Sequence, residues 1–433
     1  MRDRSNPPPP NPTFDRLGPR PLPLYLGTAM LTWTSSRAGS LSLRNGLPPW
    51  KPGPQDPEAR AVTERFRADL SAYLQDAGQN DPDGGTGEVG WASFLGALDS
   101  EINRRLSGFI EGIAAYRRHP FRRVDSEPNA VCSDGSTRLL LHGDGGGRPL
   151  LIVPSLVNRY HVLDIAPGRS LLNHLDQAGF APYVVDWDRP GEIERNFTLT
   201  DYIAGRLERV LDVVHDHAGE RPILMGYCMG GLLALALAQR RQRDLRGLVL
   251  LATPWDFTAG AGPSTFRPDL LKPFLSGVLD ALGELPTDII QAMFHTLDPM
   301  LVPRKFLRFA KMDMKSPEAE AFVALEDWIN DGVPLAAPVA REALFGWYGE
   351  NTTARGQWRV AGRVVAPEEV SLPTLALIPG RDRIVPPESA SALAAALPEV
   401  TELGIALGHI GMVVSEKARD RAWTTIVDWL ESR

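Results

Sequence analysis

The residues best equipped for chemistry lie in Gly226-Tyr227-Cys228-Met229-Gly230-Gly231, which follows Pro222-Ile-Leu-Met and opens into LLALALA. An apolar strand that turns sharply into an apolar helix, with a glycine two residues to either side of a cysteine, is the nucleophile-elbow pattern with a thiol in place of a hydroxyl. Side chains at Gly226 or Gly230 would collide with the neighbouring strand and helix. A thiol at this turn stands at a helix N-terminus, where the positive end of the dipole favours a thiolate. Taken alone, G-x-C-x-G better suits a small buried cysteine without reactivity. The strand before it, the helix after it and the partners downstream decide for a nucleophile.

Those partners follow in the order this turn requires, acid and then base. Of eight histidines, only His409 lies beyond the last predicted strand, in Leu407-Gly-His-Ile-Gly411. Asp382 follows the apolar run Leu375–Pro379 and leads into Arg383-Ile-Val-Pro-Pro387; an aspartate at such a place also makes turns. A thiol, an imidazole and a carboxylate in that order are the parts of a nucleophile–base–orienter relay. Backbone amides must then stabilise the oxyanion. Met229, directly after the nucleophile, supplies one. The loop Pro154–Tyr160 should supply the other, with Val157 the preferred donor.

The elements that must carry these groups are legible in the hydrophobic pattern. Buried strands are predicted at Leu150–Val153, Tyr183–Val185, Ile223–Met225, Leu248–Leu251, Leu375–Pro379 and Val400–Ala406. Helices are predicted at Ser170–Ala178, Leu199–His217, Met229–Arg240 and Ser389–Ala396. Such alternation means a mostly parallel central sheet with helices on both faces, and with the cysteine turn it defines an α/β class, the α/β-hydrolase fold. Residues 256–361 break the alternation and are mostly helical, as a cap insertion over the carboxyl ends of the strands would be. The resulting division is a Pro-rich disordered arm (1–23), a helical extension (24–128), the first part of the core (129–255), the cap (256–361) and the second part of the core (362–433). Within the extension, helices are predicted at Pro57–Asp76 and Trp91–Tyr116, joined by a flexible linker at Gly78–Gly87.

Bulk properties narrow the classes further. The chain has 433 residues, 43% apolar and 23% charged, with 46 basic against 53 acidic residues and a net charge of −7. That balance argues against nucleic acid as a partner. Two cysteines are too few for a disulfide framework and fit a reducing cytosol. No signal peptide and no membrane span are expected, since the apolar run Leu24–Trp33 is short and broken by threonines. A cytoplasmic protein is the expectation, with Cys132 a bystander.

Cysteine in place of serine carries chemical information. A serine acyl-enzyme is an ester, whereas a cysteine acyl-enzyme is a thioester and keeps the acyl group primed for a weak acceptor such as an alcohol. With that in mind, the chain resembles the polyhydroxyalkanoate synthases. The resemblance rests on Gly226–Gly231, Val157-Asn-Arg-Tyr160 with Leu163-Asp164, Asp186-Trp187, Thr198–Ile203, Thr253–Phe257, Glu326-Asp-Trp328, Asp382 with Val385-Pro-Pro387, and Gly408–Gly411. It covers about residues 105–433 and is nearest to the short type that works with a separate subunit; the N-terminal arm has no counterpart there. It implies that Cys228 carries the growing acyl chain, that His409 activates the thiol, and that Asp382 supports His409 or helps activate the 3-hydroxyl of an incoming (R)-3-hydroxyacyl-CoA. It further implies release of CoA, no metal or prosthetic group, and action at a polyester granule surface as a homodimer or with a helper subunit.

The same relay would serve a thioesterase or polyester depolymerase, because water and an alcohol attack the same acyl-enzyme. A non-catalytic scaffold would not need all three chemical positions filled. Within the cap, Arg304 and Arg308, with Lys311 and Lys315, fall at helical spacing and are candidates for the CoA phosphates, although a solvated face is the commoner fate of such a pattern. Trp255, Trp328, Trp347 and Tyr348 are candidates for an acyl tunnel or for plain core.

Overall fold

The computed structural model describes residues 16–44, 88–123, 129–260 and 268–433, with six isolated helical positions between 61 and 72. Those six are what is described of the helix expected over 57–76; the arm up to residue 15 and the linker at 78–87 lie outside the described residues.

Eight strands form one sheet: β1 (Asn129–Asp134), β2 (Thr137–Leu141), β3 (Arg148–Val153), β4 (Phe180–Asp186), β5 (Ile223–Tyr227), β6 (Gly247–Leu251), β7 (Thr374–Pro379) and β8 (Val400–Ile405), in the order β1-β2-β4-β3-β5-β6-β7-β8. β1 pairs with β2, and β2 with β4, antiparallel; every other pairing is parallel. The helices, in chain order, are α1 (Leu22–Arg44), α2 (Glu88–Arg118), α3 (Leu171–Gln177), α4 (Glu208–Ala218), α5 (Met229–Arg241), α6 (Pro268–Leu282), α7 (Thr287–His295), α8 (Leu301–Phe309), α9 (Pro317–Asn330), α10 (Pro387–Ala396) and α11 (Thr424–Glu431). Shorter helical turns fill the gaps between them.

The strands read as nearly unbroken apolar runs because both faces of the sheet are covered. Alternate residues sort to opposite sides. Leu151, Val153, Leu224, Leu248 and Leu250 join one core with Val210, Leu211 and Val214 of α4 and the whole of the α5 apolar run. Leu150, Ile152, Met225, Val249, Leu251, Leu375 and Leu377 join the other with Leu171, Leu172 and Leu175 of α3 and Ile426, Trp429 and Leu430 of α11. The α/β-hydrolase fold expected from the pattern is therefore the fold found, and the six predicted strands are present with ends shifted by a few residues at most.

The β1–β2 hairpin is an addition to the expectation. β1 is an edge strand that is largely exposed, so it carries no apolar alternation; the local signal is the turn at Gly135, with φ 61°. The stretch expected as one helix from Leu199 is a wide π-turn over Asp201–Leu207 that runs on into α4.

Packing divides the chain into two compact units that differ from the division drawn on the sequence. One takes Pro21–His119 together with Pro299–Met314; the other takes Leu17–Arg20, Pro120–Asp298 and Lys315–Arg433. The segment expected as a single cap is thus split, because α8 packs with α2. A Cβ on Gly112 would lie 2.2 Å from the Phe306 carbonyl oxygen, so the helix backbones touch there. Around that contact the rings of Phe109 and Tyr116 meet Phe306 edge-on, at 6.2 and 5.7 Å, and Trp33 meets Phe109 at 6.3 Å. α1 begins at Leu22, inside the stretch expected to be an arm. Its apolar residues are diluted by threonine and serine, which hides a helical stripe in the sequence. No described helix is long and apolar enough to cross a membrane.

Candidate active site

The turn between β5 and α5 holds Cys228 at φ 55°, ψ −125°, a strained conformation that costs an L-residue about 1–3 kcal/mol. Its surroundings impose that conformation. The Cys228 amide donates to the Leu251 carbonyl at 2.8 Å, and the Gly231 amide to the Cys228 carbonyl at 2.9 Å. A Cβ on Gly226 would sit 2.5 Å from the Gly231 Cα, and one on Gly230 2.2 Å from the Val153 carbonyl oxygen. Gly231, which the sequence left without a stated role, is equally confined, since a Cβ there would meet Thr253 Oγ1 at 1.9 Å.

The other two groups arrive on the loops after β7 and β8. Asp382 is 7% exposed and His409 8%, and His409 Nδ1 lies 2.6 Å from Asp382 Oδ2. The second carboxylate oxygen, Oδ1, accepts the amides of Ile384 and Val385 at 2.8 and 2.9 Å. The aspartate is therefore both a turn residue and a partner of the imidazole: the turn aims one oxygen at His409. Tyr227, 4% exposed, donates its hydroxyl to the His409 carbonyl at 3.2 Å, and its ring lies 5.3 Å from the imidazole.

The electrostatics tie the three together. Burial disfavours a charged imidazole at His409. The negative charge of Cys228, the hydrogen bonds to Asp382 and Cys228, and the Asp382 charge outweigh it and push the pKa from 6.5 to about 10. With Nδ1 engaged by Asp382, the nitrogen that meets the sulfur is Nε2, the atom that can take and return its proton. Burial and the same two negative groups push the Tyr227 phenol well above its usual value, so it stays a neutral donor.

Both expected oxyanion donors border the same space. Met229 is the first residue of α5, where amides have no partner within the helix. The Val157 amide donates to Ser155 Oγ at 3.4 Å, and its carbonyl accepts from Val333 at 2.9 Å. The loop is anchored further by Trp328 Nε1, which donates to the Arg159 carbonyl at 2.8 Å, and by Arg159, which pairs with Asp188 and Asp331 at 2.9 and 2.8 Å.

A cavity of about 450 Å³ opens in front of Cys228. Ser155, Val157, Met229 and Asp382 line it with the thiol, and Leu285, Met293, Phe294, Leu344 and Trp347 give it an apolar wall. Trp347 and Tyr348 line it, whereas Trp255 and Trp328 do not. Asn351, at φ 51°, steadies one side: its Oδ1 accepts the Phe257 amide at 3.0 Å and its Nδ2 donates to Asp256 Oδ1 at 2.9 Å. Ser155, Tyr227 and Asn351 had no role assigned from the sequence; nothing but their place in space marks them.

Arg304 and Arg308 are not among the described residues that line the cavity. They are exposed on α8, in the unit with α1 and α2, whereas every residue lining the cavity belongs to the larger unit. The four-cation stripe is also shorter than its spacing implied: α8 ends at Phe309, before Lys311 and Lys315. Cys132 is half-buried in β1, and burial raises its thiol pKa, so it is a poor nucleophile. Among the described residues no group of His, Cys, Asp and Glu could hold a metal ion.

Comparison with known proteins agrees with this fold. Residues 139–410 match the family model described as the alpha/beta hydrolase fold. The chain is 32% identical over 298 residues to a poly(3-hydroxyalkanoate) polymerase subunit PhaC of Synechocystis sp., covering 66% of this chain and 78% of that one. It is 31% identical over 295 residues to the protein of that name from Allochromatium vinosum, covering 66% and 81%. Its match to the protein of that name from Haloferax mediterranei is 30% over 321 residues, covering 72% of this chain but 65% of the archaeal one, just under two thirds of its length.

Proposed function

The chain belongs to the poly(3-hydroxyalkanoate) polymerase family of the α/β-hydrolase fold, and on that premise we propose that it polymerises (R)-3-hydroxyacyl-CoA through an acyl group carried on Cys228, releasing CoA. The observation that carries the proposal is the His409–Asp382 bond behind a thiol that faces an apolar cavity.

In the first half-reaction Cys228 Sγ attacks the thioester carbonyl of a hydroxyacyl-CoA, its proton having passed to His409 Nε2. The oxyanion forms against the amides of Met229 and Val157. As it collapses the carbon–sulfur bond to CoA breaks, and the CoA thiolate leaves with the proton from His409. In the second, the 3-hydroxyl of another hydroxyacyl-CoA attacks the Cys228 thioester. His409 takes the hydroxyl proton, a new ester bond forms, and the Cys228 thiolate is regained. One thioester is exchanged for one ester and one thiol at each addition. Because Asp382 already accepts three N–H groups with its two oxygens, its part is to orient and charge-stabilise His409, and hydroxyl activation falls to the imidazole. The apolar wall keeps water scarce around the acyl-enzyme, which favours a bound alcohol over hydrolysis.

No metal or prosthetic group enters this scheme. The relatives are named as subunits, which supports a partner subunit or a second copy of the chain for this protein; its proposed place is the surface of its polyester product, within the cytoplasm. The test is to give purified protein (R)-3-hydroxybutyryl-CoA. Polymer with stoichiometric CoA is the expected result. Free 3-hydroxybutyrate in place of polymer would make the protein a hydrolase of the same relay, and no CoA release with or without a co-purified partner would remove the acyltransferase reading altogether.

A further inference from the structure

Arg383 occupies a distinctive place on the cavity. Among the described residues that line it, Arg383 is the one cation; Asp256, Asp382 and Glu388 are the anions. Its side chain is 78% exposed, so it stands where the cavity meets solvent, one residue beyond the buried Asp382. Its backbone is held rigidly, because the amides of Ile384 and Val385 are both bound by Asp382 Oδ1. Its resident counter-ion is Asp298, at 3.2 Å. Asp298 directly follows Leu297, which also lines the cavity, so this ion pair bridges two segments of the cavity's rim.

A thioester that delivers its carbonyl to Cys228 leaves the far end of its carrier at that rim. For a CoA thioester the far end is a nucleotide bearing a diphosphate and a 3′-phosphate. We propose that Arg383 binds those phosphates, exchanging Asp298 for a phosphate oxygen when the substrate enters; the proposal rests on the acyl-CoA reading above. Only the guanidinium end of this pair is exposed, at 78% against 18% for the Asp298 side chain, so it is the arginine that can turn to a second anion, and a guanidinium presents paired donors that match a phosphate. Asp298 then acts as a competitor for the same guanidinium and repels the incoming phosphates. The two residues should have opposite effects on the same substrate.

The experiment compares (R)-3-hydroxybutyryl-CoA with (R)-3-hydroxybutyryl-pantetheine, which has the same reacting end and no phosphate. For the CoA substrate, Arg383→Ala should raise KM about three- to tenfold, Arg383→Lys should recover part of the loss, and Asp298→Asn should lower KM. None of the three should change KM for the pantetheine thioester. Equal changes for both substrates, or none for either, would overturn the proposal. Binding of free CoA by calorimetry reads the same contact without turnover. Weaker CoA binding by Arg383→Ala supports the contact even if the wild-type protein makes no polymer, and unaltered CoA binding rejects it even if polymer is made.

Discussion

The sheet-end residues of the site and the apolar lining of its cavity are built on different principles. On the sheet side, Cys228, Asp382 and His409 sit at the ends of β5, β7 and β8, and the backbone dictates almost every neighbour. Gly226, Gly230 and Gly231 have no room for a Cβ, Cys228 is held at positive φ, and the Asp382 carboxylate is committed to three N–H groups. Along the cavity wall, Leu285, Met293, Phe294 and Leu344 supply apolar volume from helices and short connections. There the requirement is shape and dryness, which many residue combinations meet. One side is therefore intolerant of change and the other adjustable, and substitutions should divide accordingly.

The largest effect belongs to the nucleophile. Cys228→Ala should reduce polymerisation by about 10³-fold or more with the thermal midpoint nearly unchanged, measured by CoA release and calorimetry. Asp382→Asn should follow, lowering kcat by about 10²- to 10⁴-fold, since the imidazole loses the group that orients and charges it. Gly230→Ala should cost about 3 kcal/mol or more in stability by denaturant titration, because a methyl group would press on the Val153 and Pro154 carbonyl oxygens at 2.2 and 2.5 Å. A soluble, fully stable Gly230→Ala protein would break the contrast at its firmest point.

The pH dependence of stability is a finer test. The folded pKa of His409 is raised to about 10 from 6.5. A raised pKa means that the folded state holds the proton more tightly, so this contribution is complete below pH 6.5 and is lost as pH rises toward 10. The melting-temperature gap between wild type and His409→Gln should accordingly narrow over that window; a gap that widens contradicts the ion-pair description. The smallest effect belongs to the apolar wall. Met293→Leu should change kcat/KM by no more than about threefold and stability by less than about 1.5 kcal/mol. A collapse of activity in that variant would show the wall to be as exacting as the sheet side.

What could be read without coordinates follows the same divide. The elbow was legible because steric necessity writes glycine at fixed offsets from the nucleophile. The strands were legible because burial on both faces writes continuous apolar runs. Asp382 and His409 were legible as candidates from their order after the last two strands, while their distance was not. The hairpin β1–β2 was missed because an exposed edge strand carries no pattern, and α1, almost wholly inside the stretch expected to be helical, was not delimited because its stripe is mixed with hydroxyl residues. The packing of α8 with α2 was not legible either, because the segment's most regular feature in sequence is its charge spacing, which does not encode a partner helix.

By itself, the sequence determined the layered sheet, the cysteine turn and which groups are proposed to perform acyl transfer, since these follow from local sterics, from the period of apolar residues and from order along the strands. The tertiary structure alone decided that Nδ1 of His409 meets Oδ2 of Asp382, that Ser155 and Trp347 share a cavity with Cys228, and that Arg383 stands at its rim. Contacts between residues tens to hundreds of positions apart depend on how helices and loops pack, and packing leaves no periodic trace along the chain.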